Sequence, residues 1–248
     1  MYRSILCLSL TVINFCICLG QSDSVLAKKK LRPFVQIGYN IGGLSPIPLP
    51  NTIRKIESYS PGFSPSLGAG AIYRIHKEWS VEAALRLDWK GMTIQDSVQY
   101  FHTLISQNGA QFEGDFTGTN NTKCKNLYLT LPVSVVYNKR DNWRYRLGLF
   151  TGYLIRPSFS GTVTNGYIRN GNSLGEKVEI DTATFNFKDV ERTFDIGVQG
   201  GVEKRFLKRF YVSGNLQWGL RPVFPPSFKG IDFKMYNIFF TLGIKMEL

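Results

Sequence analysis

Between Trp79 and Trp89 the chain reads WSVEAALRLDW, and its alternate positions separate into two chemistries. Trp79, Val81, Ala83, Leu85, Leu87 and Trp89 are apolar, whereas Ser80, Glu82, Arg86 and Asp88 are polar or charged, with Ala84 neutral between them. A period of two over this length puts the two chemistries on opposite faces of one β-strand. Ten residue steps along a strand tilted by about 40° rise roughly 25 Å, the height of the lipid-facing band of a membrane barrel between its aromatic girdles.

The same pattern recurs along the chain. It predicts strands over 33–41, 63–75, 79–89, 127–137, 143–155, 194–202, 210–220 and 236–248. Short turns join the second to the third, the fourth to the fifth and the sixth to the seventh. Longer stretches, 42–62, 91–123, 156–192 and 221–233, separate the others and read as loops. Pro46, Pro48 and Pro50 exclude regular helix or central strand from the first of these. Pro132 lacks an N–H and predicts a bulge or kink in the fourth strand. The fold class is therefore all-β: an eight-stranded antiparallel up-and-down transmembrane β-barrel with four long extracellular loops and three short periplasmic turns.

The amino terminus adds an export signal. Arg3 precedes an uncharged, mostly apolar run from Ile5 to Leu19, and Gly20 or Ala27 offers a cleavage site. The expected organisation is a signal peptide over 1–20, a basic periplasmic segment over 21–32 and the barrel over 33–248, with both termini periplasmic. The run of about 18 apolar residues that a membrane helix needs occurs nowhere after the signal. Cys7, Cys16 and Cys18 lie within the signal, so Cys124 alone remains, which excludes an intramolecular disulfide and a cysteine zinc site.

Which face points outward decides between a membrane barrel and a soluble lipocalin-type calyx, whose apolar face turns inward. Aromatic residues recur at the ends of the apolar faces: Tyr73, Trp79, Trp89, Tyr137, Trp143 and Tyr153 form the expected lipid-facing girdle. The polar faces carry both signs of charge, Glu82, Arg86, Asp88, Lys90, Arg144, Arg146, Asp195 and Glu203, as a lumen network would. Two-residue spacing pairs Glu82 and Asp88 with Arg86 and Lys90 along one strand. Gly68 and Gly70 relieve crowding in a narrow interior. Both patterns favour lipid outside and a filled lumen.

The formal net charge is +12, yet the basic residues form no stripe with interleaved aromatics, so nucleic acid is not an expected partner. Instead Lys77, Lys139, Arg140, Lys204, Arg205, Lys208 and Arg209, with Lys28, Lys29, Lys30 and Arg32, gather at the short-turn end as a basic periplasmic rim. Such a collar suits outer-membrane lipid headgroups or an acidic secretion-system component. No nucleotide, metal or cofactor motif occurs, and the protein reads as non-enzymatic. His76 falls in a turn, and His102, near Ser97 and Ser106, has no orienting partner by spacing.

The last eight residues, TLGIKMEL, resemble the carboxy-terminal signal read by barrel assembly machinery, with Thr241, Gly243, Met246 and Leu248 at its key positions. Pairing of an open strand edge with the machine, with alternate side chains selecting the client, is its physical basis. Leu248 stands where an aromatic is commoner. Three further stretches, LYLTLPVSVVY (127–137), LGLFTGYLI (147–155) and FDIGVQGGVEKRF (194–206), resemble the Bacteroidetes PorT-like outer-membrane β-barrel family in order and spacing. That resemblance implies an eight-stranded outer-membrane barrel and a role as an accessory of protein export by type IX secretion. A small structural or narrow-channel barrel is the alternative.

Overall fold

The computed structural model describes residues 30–107, 109–139 and 142–248, and in them eleven strands form one antiparallel sheet. They are β1 (Leu31–Pro46), β2 (Ile53–Ser60), β3 (Pro65–Arg74), β4 (Trp79–Gln107), β5 (Ala110–Asn138), β6 (Trp143–Arg156), β7 (Phe159–Asn170), β8 (Lys177–Asn186), β9 (Phe194–Arg205), β10 (Phe210–Gly219) and β11 (Met235–Glu247). The signal peptide, Lys28, Lys29 and Arg140 of the rim lie outside the described residues.

Pairing runs β3-β1-β11-β10-β9-β6-β5-β4, and β4 pairs again with β3, so the sheet closes on itself. Closure satisfies the backbone groups that an apolar surrounding would otherwise leave unpaired. The remaining three strands correct the expected count of eight: β2 hangs on β4, β7 on β5 and β8 on β7. They occupy stretches read above as loops. β4 and β5 are each 29 residues long, against the 9–11 or so that cross a membrane, and continue together beyond the closed part as one hairpin. Only 220–234 keeps the loop character expected of it, apart from a bridge from Ile231 to Thr103.

Within the closed part the apolar face is outside. Leu85, Leu147, Leu149, Ile196 and Leu242 are exposed on the outer wall, Leu147 by 72%, whereas Glu82, Arg86, Asp88 and Lys245 are buried within, Lys245 completely. A soluble calyx would show the reverse. The expected bulge at Pro132 is absent: Pro132 stays opposite Phe150 in unbroken register with β6, and Ala83–Val133 and Arg86–Thr130 keep one register across the β4 side. The proline costs local ladder bonds without inserting a residue.

Above Trp89 the two faces exchange roles. In β4 the inward positions become Met92 and Val98, both buried, while Thr93, Gln95 and Ser97 point out. In β5 the outward positions change from leucine and valine to Lys125, Lys123, Asn121 and Thr119, and the inward ones become Cys124, Thr122 and Phe116. A register shift between Val98 and Phe101, with Tyr100 at φ 55°, then brings Phe101, Thr103 and Ile105 onto the inner face. The strands thus leave a lipid-like surrounding and enter water without ending. The resulting head has its own core, including Phe116, Val163, Ile168 and Ile180, with Phe159 edge-on to Phe224 at 5.1 Å.

This exchange of faces makes an arginine costly at Leu85 and tolerable at Gln95, although both side chains point outward from β4. Leu85→Arg should lower the stability of the barrel in phospholipid vesicles by about 2–4 kcal/mol. Gln95→Arg should stay within about 0.5 kcal/mol of the native chain. Urea unfolding midpoints measure both.

Candidate functional site

The lumen collects the chain's buried charge. Five acids (Glu82, Asp88, Asp195, Glu203 and Glu247) and five bases (Arg86, Lys90, Arg144, Arg146 and Lys245) are buried along the closed part of the sheet. Strand alternation alone puts them there, because every inward position of β4, β6, β9 and β11 is walled from solvent by the opposite strands.

In the half of the lumen toward the short turns, four side chains form a closed circuit. Lys245 Nζ lies 2.6 Å from Glu82 Oε2 and 2.5 Å from Glu203 Oε1, and Arg146 lies 3.1 Å from each of the same two carboxylates. Each cation therefore bridges both anions, and the four side chains come from four different strands. Gly201 makes room for Arg146: a Cβ there would sit 3.0 Å from Arg146 Nε and 2.5 Å from the Gly214 carbonyl oxygen. The Lys245 ammonium also faces the Phe34 ring at 4.3 Å. Below this circuit Arg144 holds Glu247 at 2.5 Å, donates to the Tyr211 hydroxyl at 2.7 Å and stacks on its ring; Arg32 reaches Glu247 at 3.3 Å.

Nearer the head, Arg86 pairs with Asp88 at 2.9 Å, and Ser66 donates to Asp88 at 2.6 Å. Asn237 donates to Asp195 at 2.9 Å. Lys90 sits among the rings of Tyr128, Phe150 and Phe239, at 5.0, 5.2 and 5.5 Å. Between the two tiers a void lined by Gln36, Arg86, Arg146, Ser213, Asn215 and Thr241 measures about 10 Å³, room for about one water.

The expected lumen residues are thus all inside, and the expected Arg86–Asp88 pair forms, but the partners of Glu82 differ from the expectation. Arg86–Asp88 is a same-strand pair; Glu82 instead reaches across the barrel to Lys245 and Arg146. Lys245 and Glu247 are functional members that the spacing argument missed. Their signal was present, since both occupy the polar face of the last strand. His102 corrects the expectation in the same way: its Nδ1 lies 3.0 Å from Asp115, directly opposite on β5, and Ser173 donates to the other Asp115 oxygen. The serine meets the aspartate rather than the imidazole, so Ser173 is not aligned on His102 as a nucleophile. Among the described residues no three His, Cys, Asp or Glu side chains gather as a metal site.

At the short-turn end, Lys77, Lys139, Lys204, Arg205, Lys208 and Arg209 are all exposed. Tyr73, Trp79, Trp89, Tyr137, Trp143 and Tyr153 all stand on the outer face; Trp79 packs on Tyr137 at 5.0 Å, and Lys204 lies 5.0 Å over the Trp143 ring. Tyr153 meets Phe194 edge-on at 5.1 Å near the other end of the band. In β11, Thr241 donates to Asn40 at 2.6 Å, Gly243 lies opposite Gly38 and Met246 opposite Val35. The Leu248 N–H donates to the Pro33 carbonyl at 2.9 Å. In the head, burial pushes the Glu191 carboxyl up to about 7 against the hydrogen bond from Asn126, and Asp96 up to about 6 against the bond from Asn120.

Residues 20–225 match the family model described as outer membrane protein beta-barrel domain. No curated protein matches the chain. Among solved structures it is similar to Ail, the attachment invasion locus protein of Yersinia pestis, at 10% identity, covering 88% of this chain and 98% of that one with a TM-score of 0.39. It is also similar to Neisserial surface protein A, at 8% identity, covering 89% and 98% with a TM-score of 0.31.

Burial sets the consequence of breaking the circuit. Lys245→Met leaves Glu82 and Glu203, both buried, short of a cation and should cost about 3–5 kcal/mol in urea unfolding. Lys55→Met, which breaks the exposed 2.7 Å pair with Glu57, should cost less than about 1 kcal/mol. A second outcome concerns pH. Because Glu191 and Asp96 titrate higher in the folded head than their ordinary values of 4.5 and 3.8, their contribution to stability is complete below those values. It is lost as pH rises through about 6 and 7. Amide hydrogen exchange in β7 and β8, corrected for intrinsic rate, should quicken over that window, and Glu191→Gln should flatten its upper part.

Proposed function

The chain belongs to the outer membrane protein beta-barrel domain family, and from that premise we propose that it is a non-conducting, non-enzymatic barrel serving as an accessory of protein export. The observation that carries the first part is the filled lumen. An ion circuit spanning four strands, with a void of about 10 Å³ above it, leaves no path for a solute. A barrel closed in this way acts through its ends.

The export role rests on the likeness of 127–137, 147–155 and 194–206 to the PorT-like family and on the basic short-turn end. We place that end in the periplasm, with the head outside the cell. There Lys77, Lys139, Arg140, Lys204, Arg205, Lys208 and Arg209 would hold anionic headgroups, at about 1 kcal/mol per basic residue, or dock an acidic secretion component. Thr241, Gly243, Met246 and Leu248 would serve barrel assembly machinery before β11 is closed in by β1 and β10.

Three measurements test this reading. Planar bilayers containing the protein should show no steps of conductance; steady single-channel openings would overturn the closed lumen. Deleting the gene should make proteins with a carboxy-terminal sorting domain accumulate in the periplasm, and unchanged secretion would leave a structural barrel. Reversing Lys204, Arg205, Lys208 and Arg209 to glutamate should abolish export while the barrel still shows its heat-modifiable gel shift.

A further inference from the structure

A cavity of about 510 Å³ lies at the foot of the head, within the usual size range of small-ligand pockets. Its inner wall is the apolar interior of the head, formed by Met92, Phe101, Phe159, Phe185 and Phe187. Its other wall is unexpected: Ile41, Leu216, Ile238 and Phe240 belong to the outer face at the top of the apolar band, where Phe240 stands opposite both Ile41 and Leu216. Two sides of one sheet do not ordinarily share a cavity.

The strand order explains how they do. β3 ends at Pro65, opposite Tyr39, so from Ile41 upward β1 has β11 as its one ladder neighbour. β2 lies beyond the gap but pairs with β4, not with β1. At this height β1 carries Gly42 and Gly43, which put no side chain between the walls. A Cβ on Gly43 would meet Met92 Sδ at 2.5 Å, inside the cavity. Two straps cross the seam on either side of Gly43: the Tyr59 hydroxyl accepts from Gly42 N–H at 2.9 Å and donates to Gly42 O at 2.7 Å, and Leu44 N–H donates to Met92 Sδ at 3.3 Å.

The lining is mostly apolar, and apart from Ser45 and Tyr59 its polar side chains gather at one place. Asp96, Thr103, Asn120 and Thr122 gather on the inner side, where Asn120 Nδ2 donates to Asp96 at 2.9 Å and to Thr122 at 3.1 Å. The Asn120 amide oxygen is buried and has no protein donor. An apolar slot continuous with a lipid-facing surface, ending at an unfilled acceptor, has the chemistry of an amphiphile site.

We propose that this cavity binds a long-chain amphiphile, its hydrocarbon chain leaving through the Gly42–Gly43 window and its hydrogen-bond-donating head meeting Asn120 and Asp96. The chain then continues onto Ile238 and Phe240, so binding removes no more apolar surface from lipid than it restores, and the polar contacts and the slot's shape give selectivity. The amphiphile is either a lipid of the leaflet on the head side or a free one delivered through it.

Radiolabelled dodecanol is the probe. In lipid-free amphipol the full chain should bind it saturably, one molecule per barrel. Gly43→Leu, which closes the window, should weaken binding by about tenfold or more, as should Ile53→Trp at the β2 rim and Asn120→Leu at the polar end. Ile53 lies on an edge strand outside the closed sheet, so Ile53→Trp keeps the test decisive if Gly43→Leu fails to fold; a heat-modifiable gel shift checks each variant. Repeating the titration in phosphatidylcholine nanodiscs separates the sources. Retained dodecanol binding identifies a free amphiphile; its loss in nanodiscs, with saturable binding in lipid-free amphipol, identifies the lipid itself. Absence of saturable binding in amphipol, or folded variants that bind like the native chain, would overturn the proposal.

Discussion

The structure depends on Lys245 being neutralised where its side chain is completely buried. Its ammonium is wholly buried and shared between Glu82 and Glu203, which Arg146 bridges in turn. An isolated charge in such a place would cost several kcal/mol, so the four groups must arrive together. Their arrival fixes the alignment of β4, β6, β9 and β11 across the barrel, because slipping one strand by a residue would turn its charge to the outer face. The same requirement keeps the interior narrow, since a wider lumen would admit water and part the pairs. Closure and register follow from one electrostatic condition.

The second constraint is the boundary above Trp89. Below it, strand pairs are held between lipid-like surroundings and a polar plug; above it, between water and an apolar core. β4 and β5 meet both conditions without a break by reversing which alternate set is apolar, and a one-residue irregularity near Tyr100 then resets the inner face. The head so formed buries Phe159, Phe185 and Phe187 in one apolar core.

What could be read from the sequence follows from the range of each interaction. Alternation is local, so the band strands were legible, and so was the inward set Glu82, Arg86, Asp88 and Lys90. The partner of Glu82 was not, because Lys245 lies 163 residues away and only barrel closure brings it near. His102 and Asp115 are 13 residues apart, and their meeting needed the β4–β5 register. The strands β2, β7 and β8 were read as loop for a different reason. Their residues, such as TVTNGYIR in β7, are mostly polar, and a reading tuned to a lipid-facing apolar set passes over strands whose outer face meets water. Pro132 shows the limit of a residue rule: the missing N–H was inferred correctly, but a ladder can omit bonds without changing register.

The central claim is that the lumen is held by direct coupling between Lys245 and its two carboxylates, and a double-mutant cycle measures it most directly. Lys245→Met, Glu82→Gln and the pair would be compared by urea unfolding in phospholipid vesicles. Direct coupling predicts that the double variant is more stable than the sum of the single losses by about 1–3 kcal/mol, because each single change strands the other's charge. Losses that add within about 0.5 kcal/mol would contradict it, showing that the two groups do not depend on one another and that something else holds the barrel closed.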